Sequence, residues 1–233
     1  MISIITGLVA GAVHVWSGPD HLAAIAPLAV RQSRPFAETA NATGGWRPGM
    51  RWGLGHSAGV ALIGLLSLWL RDLLPVEWLS TWGERLVGVM LCGIGLWALR
   101  RSLHHTVHTH EHEHDGERHV HFHTHGHETH ERAEAHHHGH AAFGIGTLHG
   151  LAGSSHFLGV LPALAFPTNT QAVTYLIAFG IGTVISMATF SSVLGLVTTK
   201  FATASLRVYR GLLAGCAITA FGVGCFWLAT SWN

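Results

Sequence analysis

His14-Val-Trp-Ser-Gly-Pro-Asp20-His21 sets two imidazoles and a carboxylate inside a stretch that is otherwise apolar. Imidazole nitrogen with one carboxylate oxygen suits a borderline divalent ion such as nickel or cobalt, where magnesium or calcium would want more oxygen. On one unbroken helix His14 and His21 would be separated by about 10.5 Å of rise, whereas ligands of a single ion each sit about 2 Å from it. A straight helix cannot chelate that way. Gly18-Pro19 supplies a break, because proline removes a backbone donor and disfavours helical geometry at the residue before it. The spacing predicts a discontinuous helix that turns His14, Asp20 and His21 toward one cavity.

The motif occurs twice. GAVHVWSGPDHLAAIAPLA at 11–29 aligns without a gap on the sequence from 146, pairing His14 with His149, Gly18 with Gly153, His21 with His156 and Pro27 with Pro162. Ser155 replaces Asp20 in the second copy. A weaker echo relates GLGHS at 53–57 to GIGTV at 180–184 and sets His56 opposite Thr183. The candidate metal ligands are therefore His14, Asp20, His21, His56, His149 and His156. Asp20 is the one carboxylate in the interior of a proposed span, and an ionisable group at membrane depth costs roughly 3 kcal/mol, which makes a functional role the default reading. A lone intramembrane histidine also serves as a hydrogen-bonding group between helices, and His56 taken singly is open to either reading.

The elements that position these groups follow from composition. Of 233 residues 48% are apolar and 11% charged, with mean hydropathy +0.35; a soluble domain carries roughly a quarter charged residues. Residues 141–199 hold no Asp, Glu, Lys or Arg. The expected fold is an all-α polytopic membrane protein with six spans, near 2–30, 52–70, 82–99, 141–165, 172–197 and 208–230. The amino-terminal stretch lacks a basic leader region and contains His and Asp, so it reads as a retained first span. Arginines and lysines collect in the first, third and fifth connections, which are therefore expected on the cytoplasmic side of the cytoplasmic membrane, with both termini outside. Three spans per half make the two halves inverted repeats, 1–102 and 141–233, each with a discontinuous first helix.

Between them, residues 103–140 hold 16 of the 21 histidines and little that could be buried, so this segment is expected to be a disordered cytoplasmic loop able to collect transition metals. The cysteines, Cys92, Cys216 and Cys225, form no CxxC and read as small packing residues. The chain has no GxxxxGK[ST] loop for an ATPase and no HExxH for an intramembrane metalloprotease; no enzymatic activity, cofactor or nucleic-acid partner is expected.

HVWSGPDHLAAIAPLA, GLGHSAGV and LHGLAGSSHFLGVLPA resemble conserved blocks of the nickel/cobalt transporter superfamily, especially its UreH-like, urease-associated branch. The resemblance implies a secondary permease for Ni²⁺ or Co²⁺, with His14, Asp20 and His21 matching the principal metal motif and His56 the Gly-His-Ser block. Cytoplasmic nickel-handling proteins are possible partners on this reading. Efflux is the alternative direction, and a membrane haem protein using paired histidines is the alternative of a different class.

The two histidine populations should separate experimentally. Deleting residues 104–138 and joining the ends with a short Gly/Ser linker should preserve saturable Ni²⁺ or Co²⁺ transport with an altered apparent affinity. Loss of transport by a correctly inserted deletion variant, with His14→Ala still active, would reverse the assignment.

Overall fold

The computed structural model describes residues 1–33, 45–70, 76–104, 108–114, 117–123, 131–152, 154–202 and 205–232. Its helices are α1 (Ile2–Ser17), α2 (Pro19–Gln32), α3 (Trp46–Leu70), α4 (Val76–His104), α5 (Glu131–Ala152), α6 (Ser154–Leu164), α7 (Asn169–Ala202) and α8 (Leu206–Thr230). The apolar first stretch forms α1 until Gly18 interrupts it. Gly18 is extended, at φ −90° and ψ 100°, and its N–H still donates to the His14 carbonyl at 3.1 Å. Pro19 then opens α2 at a position where its missing N–H costs nothing. The two helices are bent by 74° at this break.

Polarity is distributed as a bilayer requires. Ile5, Val9, Leu62, Ile177, Ile185, Ile218 and Phe226 face outward, while His14, Asp20, His21, His56, His149 and Thr183 are buried. Apolar groups outside and ionisable groups inside invert the usual arrangement of a soluble protein. Among the described residues, Thr81–Leu103, Asn169–Phe201 and Leu206–Thr230 are long and apolar enough to cross a membrane, and the bent α1–α2 pair makes a fourth. The chain is a helical membrane protein. The other two proposed spans, 52–70 and 141–165, each cross positions whose side chains lie outside the described residues.

α1 lies along α7, α5 along α3, α3 against α7 and α4 against α8. Glycine lets the first two pairs approach to backbone contact. A Cβ on Gly11 would collide with the Phe179 carbonyl, and one on Gly146 with the Trp52 carbonyl. Likewise Gly182 meets the Leu8 carbonyl and Gly55 the Phe143 carbonyl. Adding 135 takes Leu8 and Gly11 to Phe143 and Gly146, and adding 127 takes Trp52 and Gly55 to Phe179 and Gly182. These two contacts of the α1/α7 pair therefore have counterparts in the α5/α3 pair.

The His-rich segment differs from the expectation. Composition argues for an unstructured loop over 103–140, yet β1 (His108–His114) and β2 (Glu117–His123) pair antiparallel, with His108 opposite His123, His110 opposite His121 and His112 opposite His119. The physical reason lies in the period: HTHEHEH and ERHVHFH alternate residue by residue, and Asp115-Gly116 between them is a strong two-residue hairpin signal. α5 also starts earlier than expected, at Glu131, within the charged part of the segment.

Candidate metal centre

Four helices contribute to one buried cluster. His14 occupies the last turn of α1, Asp20 and His21 the first turn of α2, His56 the middle of α3 and His149 the last turn of α5. The bend at Gly18 brings the His14 and His21 rings to 4.5 Å between centroids, far closer than a continuous helix would allow. His56 lies 5.6 Å from His14 and 4.9 Å from His21. His149 lies 4.7 Å from His21 and 5.4 Å from His56.

Asp20 ties the two halves together. Its Oδ1 is 2.9 Å from His21 Nδ1 and its Oδ2 is 3.3 Å from His149 Nε2. A carboxylate held this way favours protonation of the imidazole nitrogen that faces it and leaves the lone pair on the other nitrogen, the form a metal takes. Two sets of side chains could hold a metal ion: His14, His21 and His56, and Asp20, His21 and His149, with ligand atoms in each set within 4.8 Å of one another. His21 belongs to both. His21, His56 and His149 are fully buried, Asp20 is 3% exposed and His14 9%, so an ion seated here would be stripped of bulk water.

Five of the six residues proposed from sequence thus meet. His156 lies on α6, but its side chain, like that of Ser155, falls outside the described residues. Gly18 is needed for the space it leaves rather than for backbone freedom. Its extended backbone is open to any residue, but a Cβ there would collide with His21 Nδ1 and stand 2.9 Å from Asp20 Oδ1. The glycine makes room for the carboxylate-imidazole pair.

Two aromatic neighbours were not identified from sequence. The Trp52 ring is 5.9 Å from the His149 ring, and Phe179 is 5.3 Å from His14. The repeat alignment could have paired them, since Trp52 and Phe179 each immediately precede the echoed glycine block, but neither motif includes them. The cysteines also hold a surprise: Cys92 of α4 and Cys225 of α8 have sulfurs 3.9 Å apart despite their distance in sequence. Neither belongs to the two candidate metal-holding sets.

Residues 4–223 match a family described as the cytochrome c biogenesis protein transmembrane region. The chain belongs to this family. It is also 30% identical over 226 residues to the urease accessory protein UreH of Bacillus sp. (strain TB-90), covering 96% of this chain and 90% of that one. Two chloroplast proteins of Arabidopsis thaliana, FOR GROWTH AND FERTILITY 1 and 2, are 34% identical over 219 residues, which is 94% of this chain. The chain spans about half the length of these two relatives, 56% and 54%. No solved structure matches. The urease-associated resemblance drawn from the sequence motifs is met by UreH, while the matching family is defined by cytochrome c biogenesis.

The crowding at Gly18 yields a local test. Gly18→Ala should weaken Ni²⁺ or Co²⁺ binding to the purified protein by about tenfold or more, the scale on which disturbing a ligand's orienting partner acts. Gly93→Ala, where an added Cβ meets nothing within 4 Å, should leave binding unchanged. Isothermal titration calorimetry on both variants, each carrying the 104–138 deletion, checks this, and equal affinities would remove the Asp20–His21 pair from the binding site.

Proposed function

We propose that the chain is a secondary transporter carrying Ni²⁺, Co²⁺ or both across the cytoplasmic membrane through the His14/Asp20/His21/His56/His149 cluster, with His156 a further candidate ligand. The observation that carries this reading is the convergence of four imidazoles and one carboxylate, from four helices, into a buried cluster of a membrane protein. The similarity to a urease accessory protein speaks for nickel as cargo, in keeping with the resemblance to the nickel/cobalt superfamily. Cytoplasmic nickel-handling proteins are the natural recipients.

On this reading the membrane part comprises six spans, arranged as two inverted three-helix repeats, 1–102 and 141–233, joined by the His-rich segment 103–140 on the cytoplasmic side, with both termini outside. The matched glycine contacts of α1 with α7 and of α5 with α3 support the repeat. Inverted repeats with a site near the midplane suit alternating access. No covalent chemistry is required of the protein.

Driving force can come from the membrane potential, which contributes about 4.6 kcal/mol per 100 mV to moving a dication inward, and this favours uptake. Protons offer a second source, because imidazolium cannot ligate a metal and the two cations compete for the same nitrogens. Efflux, with the His-rich segment loading the site from inside, is the opposite use of the same machinery. The family description and the Cys92–Cys225 proximity favour a second reading, thiol chemistry linked to cytochrome c biogenesis. A bis-histidine haem protein would instead display a Soret band after purification.

Net flux of radioactive nickel or cobalt into right-side-out cells discriminates among these. The proposal expects saturable uptake that Asp20→Asn abolishes while the protein still inserts, because the amide keeps the shape and loses the charge that offsets the dication. Near-normal uptake by a well-expressed Asp20→Asn variant would remove Asp20 from the transport site. Absence of saturable uptake by the well-expressed wild-type protein would instead favour the thiol reading.

A further inference from the structure

Among the described residues, each helix that ends in one of the buried cluster histidines is backed by an aromatic side chain from the opposite repeat. Phe179 of α7 lies against His14 of α1, and Trp52 of α3 lies against His149 of α5. The offsets that relate the glycine contacts also relate these pairs, since 14 + 135 is 149 and 52 + 127 is 179. Gly11, three residues before His14, seats on the Phe179 carbonyl, and Gly146, three residues before His149, seats on the Trp52 carbonyl.

The two aromatics sit in different apolar clusters. Trp52 packs with Val15, Ala24, Leu91 and Met187, and Phe179 with Val60, Val160, Tyr175 and Leu176. Both rings are sealed, at 0% and 1% exposure. Among the described residues, the buried Trp52 Nε1 has no hydrogen-bond partner, an arrangement with a cost that packing alone does not require.

Direction follows from the inverted-repeat topology, on which this inference rests. With the first connection cytoplasmic, α3 runs outward and α7 runs inward. Trp52 precedes His56 by one helical turn, about 6 Å toward the cytoplasm, and Phe179 precedes Thr183 by one turn toward the outside. Equivalent residues of inverted repeats fall on opposite faces of the midplane.

We propose that Phe179 and Trp52 are the outer and inner gates of the metal pathway, each closing one approach to the histidine-aspartate cluster. The structure is then the occluded state, and alternating access consists in withdrawing one ring while the other stays packed in its cluster. An aromatic plug is an effective barrier because a narrow apolar constriction excludes water and the hydrated ion with it. Pairing each plug with a histidine also couples the gate to the cargo, because rotation of His14 or His149 toward an ion changes the surface on which that ring rests.

The test uses the full-length chain with Cys92→Ser, Cys216→Ser and Cys225→Ser, and Thr183→Cys as reporter. Thr183, which the repeat alignment sets opposite His56, is fully buried and donates to the Gly11 carbonyl at 3.4 Å. A small charged, membrane-impermeant methanethiosulfonate reagent is applied to right-side-out and to inside-out vesicles, and the labelling rate is read by mass shift. Phe179→Ala should raise the rate at least about tenfold from the outer face alone, and Trp52→Ala from the cytoplasmic face alone. Should either alanine variant fail to insert, Phe179→Val and Trp52→Leu take their place.

Increases from both faces, from the same face for both variants, or from neither would overturn the gates. Labelling requires no metal, so the two proposals fail separately. Sided labelling in a protein that moves no nickel or cobalt would strike the cargo, and metal transport with unsided labelling would strike the gates.

Discussion

One carboxylate held among imidazoles, away from water, is the constraint on which the rest of the structure turns. A buried charge is tolerated only when its oxygens find partners, and Asp20 has one histidine on each, His21 within its own half and His149 from the other. The same contacts fix the relation of the halves, since α2 and α5 are joined through a single side chain. Removing one partner would leave the carboxylate under-compensated in a dry interior, a large penalty. The arrangement is therefore a local commitment with consequences across the membrane part.

Meeting that constraint dictates the surrounding backbone. α1 must stop at Ser17 so that His14 and His21 can converge, and Gly18 must lack a Cβ so that the Asp20–His21 pair has room. The helices bearing His14 and His149 must approach α7 and α3 closely enough to close the site, which glycine at 11, 55, 146 and 182 permits. Close approach of this kind is how membrane helices gain packing energy when lipid offers no hydrophobic drive for association. Packing and chemistry thus share the same glycines, and the polar interior is wrapped by outward-facing Ile, Leu and Val that the bilayer solvates.

Much of this was legible because it is local in sequence. The helix break follows from Gly18-Pro19, the candidate ligands from the repeated His motif, and the membrane character from the scarcity of charge. His56 could be proposed only from a weak echo, and its convergence with His14 and His149 depends on how α1, α3 and α5 pack. Trp52 reads from sequence as a tryptophan near a span end and Phe179 carries no mark, and their place beside His149 and His14 depends on helix packing. The Cys92–Cys225 approach joins α4 to α8 across most of the chain, and no spacing rule reaches that far. The hairpin in the His-rich segment follows from the alternating period and the Asp-Gly step, while the composition of the same segment argues for disorder. His156 remains a sequence-based assignment.

X-ray absorption at the nickel edge, on purified protein loaded with one Ni²⁺ and carrying the 104–138 deletion, tests the central claim most directly. The account predicts a nitrogen/oxygen first shell with outer-shell scattering from two or three imidazoles, diminished in His21→Ala, the histidine common to both candidate sets. Sulfur scattering that disappears with Cys92→Ser, or an oxygen shell without imidazole scattering, would contradict it.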